Sequence, residues 1–242
     1  ELWERVDRPN LMIKIPATKA GIPAITDVIG HGISVNVTLI FSLERYGDVI
    51  DAYFAGIEKA LAHGHDVSSI RSVASFFVSR VDSAIDARLD SLGSEAALAV
   101  RSQAAIANAR LAYELFQSEH ASDRARTLMS KGMHHQRPLW ASTGVKDPAL
   151  PPAYYVTELA VSSVVNTMPE KTLLALETDG VVAGDRVSGH FESARHTLRA
   201  LEELGISMDA VTDELEADGV SKFVQSWHEL LDTVAQAMGG AA

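Results

Sequence analysis

The sequence lacks cysteine altogether and is poor in basic residues. Without cysteine, no disulfide framework, thiolate zinc site or thiol nucleophile can form. Lys and Arg number 21 against 32 Asp and Glu, and the formal net charge of −11 would repel nucleic acid and anionic membranes. No apolar run approaches the roughly 20 residues of a membrane span. These absences predict a cytoplasmic protein with neither nucleic-acid nor membrane partners.

The chain has 242 residues, of which 47% are hydrophobic. That length suits one large domain with a sizeable core, so residues 1–242 are predicted to form a single domain. At the start, Leu2–Val6 has the pattern of the end of an amphipathic helix, and no methionine precedes it. We therefore expect the chain to begin in the middle of a fold.

Short apolar or alternating runs recur between longer helical patterns. The predicted strands cover residues 11–15, 34–40, 72–78, 138–142 and 161–166. The predicted helices cover residues 20–29, 42–62, 82–89, 94–117, 123–130, 169–177, 188–204, 208–217 and 219–238, and 239–242 is predicted to be a frayed tail. Strands that alternate with helices predict a parallel sheet. Five strands fit an open doubly wound sheet, whereas a closed barrel needs eight, so the pattern leaves both architectures open.

Lys14 is the anomalous lysine, because it stands inside an apolar strand. A desolvated lysine has a lowered pKa and becomes an amine nucleophile that can form an imine with a carbonyl substrate. The alternatives are an edge-strand lysine that reaches water and a buried ion pair. The remaining lysines lie in helical or loop contexts where solvation is easy: Lys19, Lys59, Lys131, Lys146, Lys171 and Lys222.

The next two strands carry further candidate site residues. Asn36 and Thr38 share one face by the period of two, and Ser75 and Phe77 do the same on the following strand. Polar groups on a buried face need hydrogen-bond partners or a function, so satisfied core groups are the alternative interpretation.

Two residues beyond strand ends suit an anionic substrate. Arg80 follows the third strand, where barrel active sites lie, and could bind a phosphate or carboxylate. Its alternative is a surface ion pair with Asp82 or Asp86. Ser142 ends the fourth strand and leads into a polar loop, residues 143–146, of a kind that can surround phosphate.

Two linked segments resemble the active-site region of transaldolases. Residues 11–21 match a strand with a central lysine followed by Pro-Ala-Thr, and residues 36–42 match the Asn-Val-Thr-Leu-Ile-Phe-Ser segment at the expected spacing. The match continues through residues 75–82 and 140–143. The resemblance implies a TIM (β/α)8 barrel, of which this chain supplies strands four to eight and the C-terminal helices.

The resemblance also implies roles for individual residues. They are a Schiff base on Lys14, a catalytic water near Thr38, substrate contacts from Asn36, Ser75 and Phe77, and phosphate contacts from Arg80 and Ser142. The family commonly has an arginine two residues after the matching serine, whereas this chain has Gly144 and offers Lys146 instead.

The implied reaction transfers a dihydroxyacetone unit from sedoheptulose 7-phosphate or fructose 6-phosphate to glyceraldehyde 3-phosphate or erythrose 4-phosphate, in the pentose phosphate pathway. It requires no cofactor and no metal, and adjacent His134 and His135 are interpreted as a loop feature because neighbouring side chains point apart. The family's first three strands, which bear an Asp, an Asn and a Glu, have no counterpart here, so a companion N-terminal segment is predicted. The rival functions are a fructose 6-phosphate aldolase-like enzyme and a non-catalytic barrel fragment.

Overall fold

The computed structural model of the protein describes residues 1–239. In that part of the chain, five parallel strands form one sheet, in which each strand pairs with the next along the sequence. They are β1 (Ile13–Pro16), β2 (Val35–Ile40), β3 (Ser72–Phe77), β4 (Arg137–Ala141) and β5 (Val165–Asn166). The predicted parallel sheet is therefore confirmed, and within the described residues β1 and β5 are its two edges.

Helices connect and follow these strands. Those in the described residues are α1 (Leu2–Val6), α2 (Gly21–Gly30), α3 (Leu43–Ala62), α4 (Ser79–Leu92), α5 (Glu95–Ala99), α6 (Ala104–His120), α7 (Asp123–Ser130), α8 (Tyr154–Glu158), α9 (Glu170–Asp179), α10 (Phe191–Glu203) and α11 (Met208–Gly239), with a 3-10 turn at Val67–Ser69. Local sequence fixes several of their starts. Ser42, for example, caps α3 by accepting a hydrogen bond from the Arg45 backbone N–H at 3.1 Å. None of the helices within residues 1–239 is both long and apolar enough to cross a membrane.

The helical block predicted over residues 94–117 is divided into α5 and α6. Ser102 lies between them in a left-handed conformation, with φ at 59°. Its backbone N–H and hydroxyl both donate to the carboxylate of Asp86, at 2.8 and 2.7 Å. This tertiary contact interrupts a sequence whose local propensity is helical throughout.

Three further predictions near the C-terminus need correction. The strand predicted over residues 161–166 is reduced to the two residues of β5. The two helices predicted on either side of Asp218 form one continuous helix, α11. Gly219, the predicted start of the second helix, lies inside α11 and packs against Leu39, where an added Cβ would lie 3.0 Å from the leucine Cδ2. Of the predicted frayed tail, residue 239 ends α11 and residues 240–242 lie outside the described residues.

The main core lies between the outer face of the sheet and the helices. Phe76 of β3 and Trp140 of β4 are register partners on that face, and their ring centroids are 6.3 Å apart. Trp140 is fully buried, and its indole N–H donates to the backbone oxygen of Leu159 at 3.1 Å. Burial of this face fixes the strand register, because a slip of one residue would turn every side chain over. The residues of the inner face are thereby fixed as well.

Candidate active site

Three polar side chains lie in a row on the inner face of the sheet, one on each of β1, β2 and β3. Lys14 is the register partner of Asn36, and partners in adjacent parallel strands project from the same face. The side-chain oxygen of Asn36 accepts a hydrogen bond from the Ser75 hydroxyl at 2.8 Å. The structure thus places an amine beside a bonded amide and hydroxyl, as the spacing of the three residues predicts.

Thr38 and Phe77 lie on the same inner face, two residues further toward the carboxyl ends of their strands than Asn36 and Ser75. Thr38 is buried, and its backbone oxygen accepts a hydrogen bond from the Ala17 N–H at 2.7 Å, which continues the pairing of the first two strands. The ring of Phe77 lies 5.1 Å from that of Phe41. These residues form a partly apolar wall above the row of Lys14 and its neighbours.

Ser142 is held at the carboxyl end of β4 in a strained conformation. Its φ is 57°, in the left-handed region that non-glycine residues rarely adopt. The Ser79 N–H donates to its backbone oxygen at 2.9 Å, and the hydroxyls of the two serines are 3.0 Å apart. The contact joins the first turn of α4 to the loop after β4, and therefore brings Arg80 and Ser142 to one end of the sheet.

Arg80 lies in the first turn of α4, with its guanidinium 5.3 Å from the centroid of the Phe77 ring. One guanidinium nitrogen, Nη1, is buried and has no hydrogen-bond partner among residues 1–239. Since buried donors are nearly always paired, an unpaired guanidinium N–H at a strand end suits an anionic ligand.

Lys146 adds a second cation to this region. Partial burial lowers the pKa of its ammonium group, and the positive charges of Arg80 and Lys222 lower it further. Lys146 is therefore within electrostatic reach of Arg80, the other cation predicted to bind phosphate. Lys222, on α11, was placed by the sequence among the easily solvated lysines, and its proximity to Lys146 was not predicted.

The sequence predicts that Lys14 is buried and therefore a desolvated nucleophile. That prediction of burial is wrong for the described chain. The side chain is exposed. The reason is its position on β1, an edge of the described sheet, with its inner face open to solvent. The position corresponds to the alternative of an edge-strand lysine that reaches water. Its role as the imine-forming residue stays a prediction that rests on its neighbours.

The alternative of an Arg80 ion pair with Asp82 or Asp86 is also wrong. Asp82 is buried, and it accepts hydrogen bonds from the Ala105 N–H at 2.7 Å and the Tyr155 hydroxyl at 2.9 Å. Burial raises the pKa of Asp82 to about 6, against the lowering effect of these bonds. Both carboxylates bind α6 and the turn before it, which leaves Arg80 available to a ligand.

The adjacent histidines serve local structure. The backbone oxygen of His134 accepts a hydrogen bond from the Tyr53 hydroxyl at 2.7 Å, and the His135 ring packs 5.0 Å from that of His120. Across residues 1–239 no group of three or more His, Asp or Glu side chains is arranged to hold a metal ion.

The sheet and its inner face define a parallel α/β protein with an amine on the inner face and two cationic side chains, Arg80 and Lys146, toward the carboxyl ends of the strands. Comparison with known proteins then specifies the family: the chain belongs to the transaldolase/fructose-6-phosphate aldolase family, whose model matches residues 1–234. The family consists of (β/α)8 barrels, so the predicted fold class is confirmed, with five barrel strands in the described residues.

Curated relatives match nearly the whole chain. A transaldolase of Parafrankia sp. (strain EAN1pec) is 56% identical over 241 residues, which is 100% of this chain and 65% of the relative. Transaldolase 1 of Streptomyces coelicolor is 60% identical over 96% of this chain and 61% of its own length. A transaldolase of Thermobifida fusca is 57% identical over 97% and 64%, respectively.

The chain thus spans less than two thirds of the length of these curated relatives. The predicted companion N-terminal segment receives no support from the matches, because each relative contains the region equivalent to this chain, nearly complete, within one longer protein.

Proposed function

We propose that the protein is a transaldolase that carries a dihydroxyacetone unit on Lys14. The observation that carries the proposal is the row on the inner face, in which Lys14 lies in register with Asn36 and Asn36 is bonded to Ser75. Relatives at 56–60% identity that are named transaldolase support the same reaction. The substrates proposed are sugar phosphates, with sedoheptulose 7-phosphate or fructose 6-phosphate as donor and glyceraldehyde 3-phosphate or erythrose 4-phosphate as acceptor.

The reaction begins when the neutral amine of Lys14 attacks the ketone carbon of the donor and water leaves, which gives a protonated imine. Loss of the proton from the C4 hydroxyl then breaks the C3–C4 bond, because the imine accepts the electron pair. The aldose phosphate departs, and the three-carbon enamine left on Lys14 adds to the acceptor aldehyde. Hydrolysis of the new imine releases the product and restores the lysine.

The other residues of the inner face have supporting roles in this scheme. Asn36 and Ser75 would hold hydroxyl groups of the three-carbon unit beside Lys14, and Thr38 would position the water that moves protons. Phe77 would border the site on its apolar side. The scheme uses only side chains and water, so the proposal includes no cofactor and no metal. We also propose a cytoplasmic location, in line with the acidic, cysteine-free composition.

Arg80, Ser142 and Lys146 would bind the donor phosphate at the carboxyl end of the strands. Their contacts support this, since the serine hydroxyls join the two segments and the charge of Arg80 acts on Lys146. Lys146 would supply the charge that the family usually obtains from an arginine at the position of Gly144. A phosphate bound there leaves the ketone carbon of the sugar free to reach the row that contains Lys14.

A second candidate is an aldolase that releases the three-carbon unit as free dihydroxyacetone. The family's description includes fructose-6-phosphate aldolase, and the exposure of Lys14 favours this reaction, because water reaching the enamine would protonate it before transfer. Acceptor dependence separates the two: a transaldolase forms glyceraldehyde 3-phosphate from fructose 6-phosphate at an appreciable rate only with erythrose 4-phosphate present.

Borohydride trapping tests the lysine assignment. Fructose 6-phosphate and borohydride should add a reduced three-carbon unit to the protein, and peptide mass mapping should place it on Lys14. Lys14→Met should abolish the adduct, whereas the matched control Lys19→Met, in the exposed segment after β1, should retain it. An adduct that persists in Lys14→Met would refute the assignment, and absence of any adduct would support a non-catalytic barrel fragment.

A further inference from the structure

Helix α11 reaches the carboxyl end of the sheet beside β2 and α4, and three contacts fix its path. Glu214 pairs with Arg88 of α4 at 2.6 Å, and Glu216 pairs with Arg45 at the start of α3 at 3.4 Å. One turn further on, Gly219 packs directly against Leu39 near the end of β2. The helix therefore passes from the outer layer to the strand ends where Arg80 and Ser142 lie.

Lys222 follows Gly219 by three residues, so it lies one turn further along and on the same side of the helix. Leu215 and Val211 precede it on that side and are partly or fully buried against the barrel. The ammonium group of Lys222 pairs with Asp218 at 2.6 Å, and both side chains are well exposed, at 61% and 45%. Such an i,i+4 pair is weak and exchanges readily with other partners.

Three elements thus bring three cations to one region: Arg80 from the first turn of α4, Lys146 from the loop after β4, and Lys222 from α11. The charge of Lys222 acts on Lys146 together with that of Arg80, and both lower the pKa of the Lys146 ammonium group. Lys222 pairs with Asp218, whereas Arg80 and Lys146 have no ion-pair partner within residues 1–239, so a bound anion among the three cations would be favoured. The buried Nη1 of Arg80, which has no hydrogen-bond partner within residues 1–239, is a donor that such an anion would accept from.

We propose that Lys222 is a third cation of the phosphate site, and that it raises the preference of the enzyme for phosphorylated over unphosphorylated substrates. This inference rests on the proposed function of Arg80, Ser142 and Lys146. Lys222 would leave Asp218 and turn toward the phosphate, which its long flexible side chain allows. Helix α11 would then form one side of the substrate site as well as part of the outer layer.

The test is Lys222→Met, with Lys131→Met as the matched control. Lys131 is an exposed lysine that follows α7, on the way into the opposite, N-terminal end of β4. We expect Lys222→Met to weaken the binding of inorganic phosphate, followed by amide NMR titration, by roughly 3- to 10-fold. The KM for fructose 6-phosphate should rise by a similar factor with kcat unchanged, and the KM for dihydroxyacetone should stay the same. Asp218→Asn, which frees Lys222, should tighten phosphate binding.

Equal phosphate affinities of Lys222→Met and Lys131→Met would overturn the inference, as would an unsubstituted protein that fails to bind phosphate. Failure of the proposed function is distinguishable, because it would appear as absence of borohydride trapping on Lys14 in the unsubstituted protein. Trapping with intact phosphate selectivity in Lys222→Met would leave the proposed function in place and remove Lys222 from the site.

Discussion

Replacement of Arg80 by alanine separates a ligand-binding role from a structural one. In the ligand-free protein, Arg80 contributes a cation–π contact with Phe77 at 5.3 Å, worth about 0.5–1 kcal/mol. Against this stands the buried Nη1 donor without a partner in residues 1–239, which costs about 1–3 kcal/mol. The free energy of unfolding of Arg80→Ala should therefore be unchanged or up to about 2 kcal/mol higher.

The effect on phosphorylated substrates should be opposite and large. A charge-assisted hydrogen bond to phosphate is worth about 1.5–3 kcal/mol, so the KM for fructose 6-phosphate should rise by about 10- to 100-fold. The KM for dihydroxyacetone should change little. Arg80→Lys keeps the charge but loses the planar group, so its KM for fructose 6-phosphate should lie between those of the unsubstituted protein and Arg80→Ala. A loss of more than about 2 kcal/mol in urea unfolding, or equal effects on both substrates, would make Arg80 a structural residue.

Two further predictions concern buried groups around the site. Because burial raises the pKa of Asp82 from its usual 3.8 to about 6, its ionisation opposes folding progressively as the pH rises between those values, by about 3 kcal/mol. The difference in free energy of unfolding between Asp82→Asn and the unsubstituted protein should accordingly shift by about 3 kcal/mol in favour of Asp82→Asn as the pH rises from 3 to 7. Urea titrations at several pH values measure this difference. A difference that stays constant with pH would contradict the reasoning. Trp140→Phe should lose about 2–3 kcal/mol, because it leaves a cavity and removes the hydrogen-bond donor to Leu159. A loss below about 0.5 kcal/mol in the same assay would show that Trp140 is not tightly packed.

The inner-face row could be predicted because it depends on local regularities. The period of two places Asn36 with Thr38 and Ser75 with Phe77, and the order of strands in a βα pattern makes neighbours in sequence neighbours in the sheet. The hydrogen bond between Asn36 and Ser75 is a direct consequence of these two rules.

Features that depend on tertiary contacts could not be predicted in the same way. The break at Ser102 is caused by Asp86, sixteen residues earlier. The path of α11 depends on contacts with distant parts of the chain, such as that between Gly219 and Leu39. From sequence alone, the segment Asp218-Gly219 suggests a break between two helices, whereas in the structure Gly219 lies inside α11 and permits close approach to Leu39. The proximity of Lys222 to Lys146 follows from that approach and has no local signal.

Exposure of a side chain is likewise a property of the whole assembly of strands. Lys14 stands in an apolar run, and such runs are typical of strands buried on both faces. The apolar character of the run comes from residues such as Ile13 and Ile15, which face the helices. It does not tell whether the opposite face, which carries Lys14, is buried. In the described sheet that face is open beside Lys14, which is why the inference of burial from sequence was wrong.

The most direct test of the central claim is a crystal structure of the protein after borohydride reduction with dihydroxyacetone. We predict continuous density from the Lys14 Nζ atom into a three-carbon unit, with hydroxyl groups of that unit within hydrogen-bond distance of Asn36 and Ser75. Density on another lysine, or an adduct on Lys14 that points away from Asn36 and Ser75, would contradict the claim that this row on the inner face is the catalytic centre.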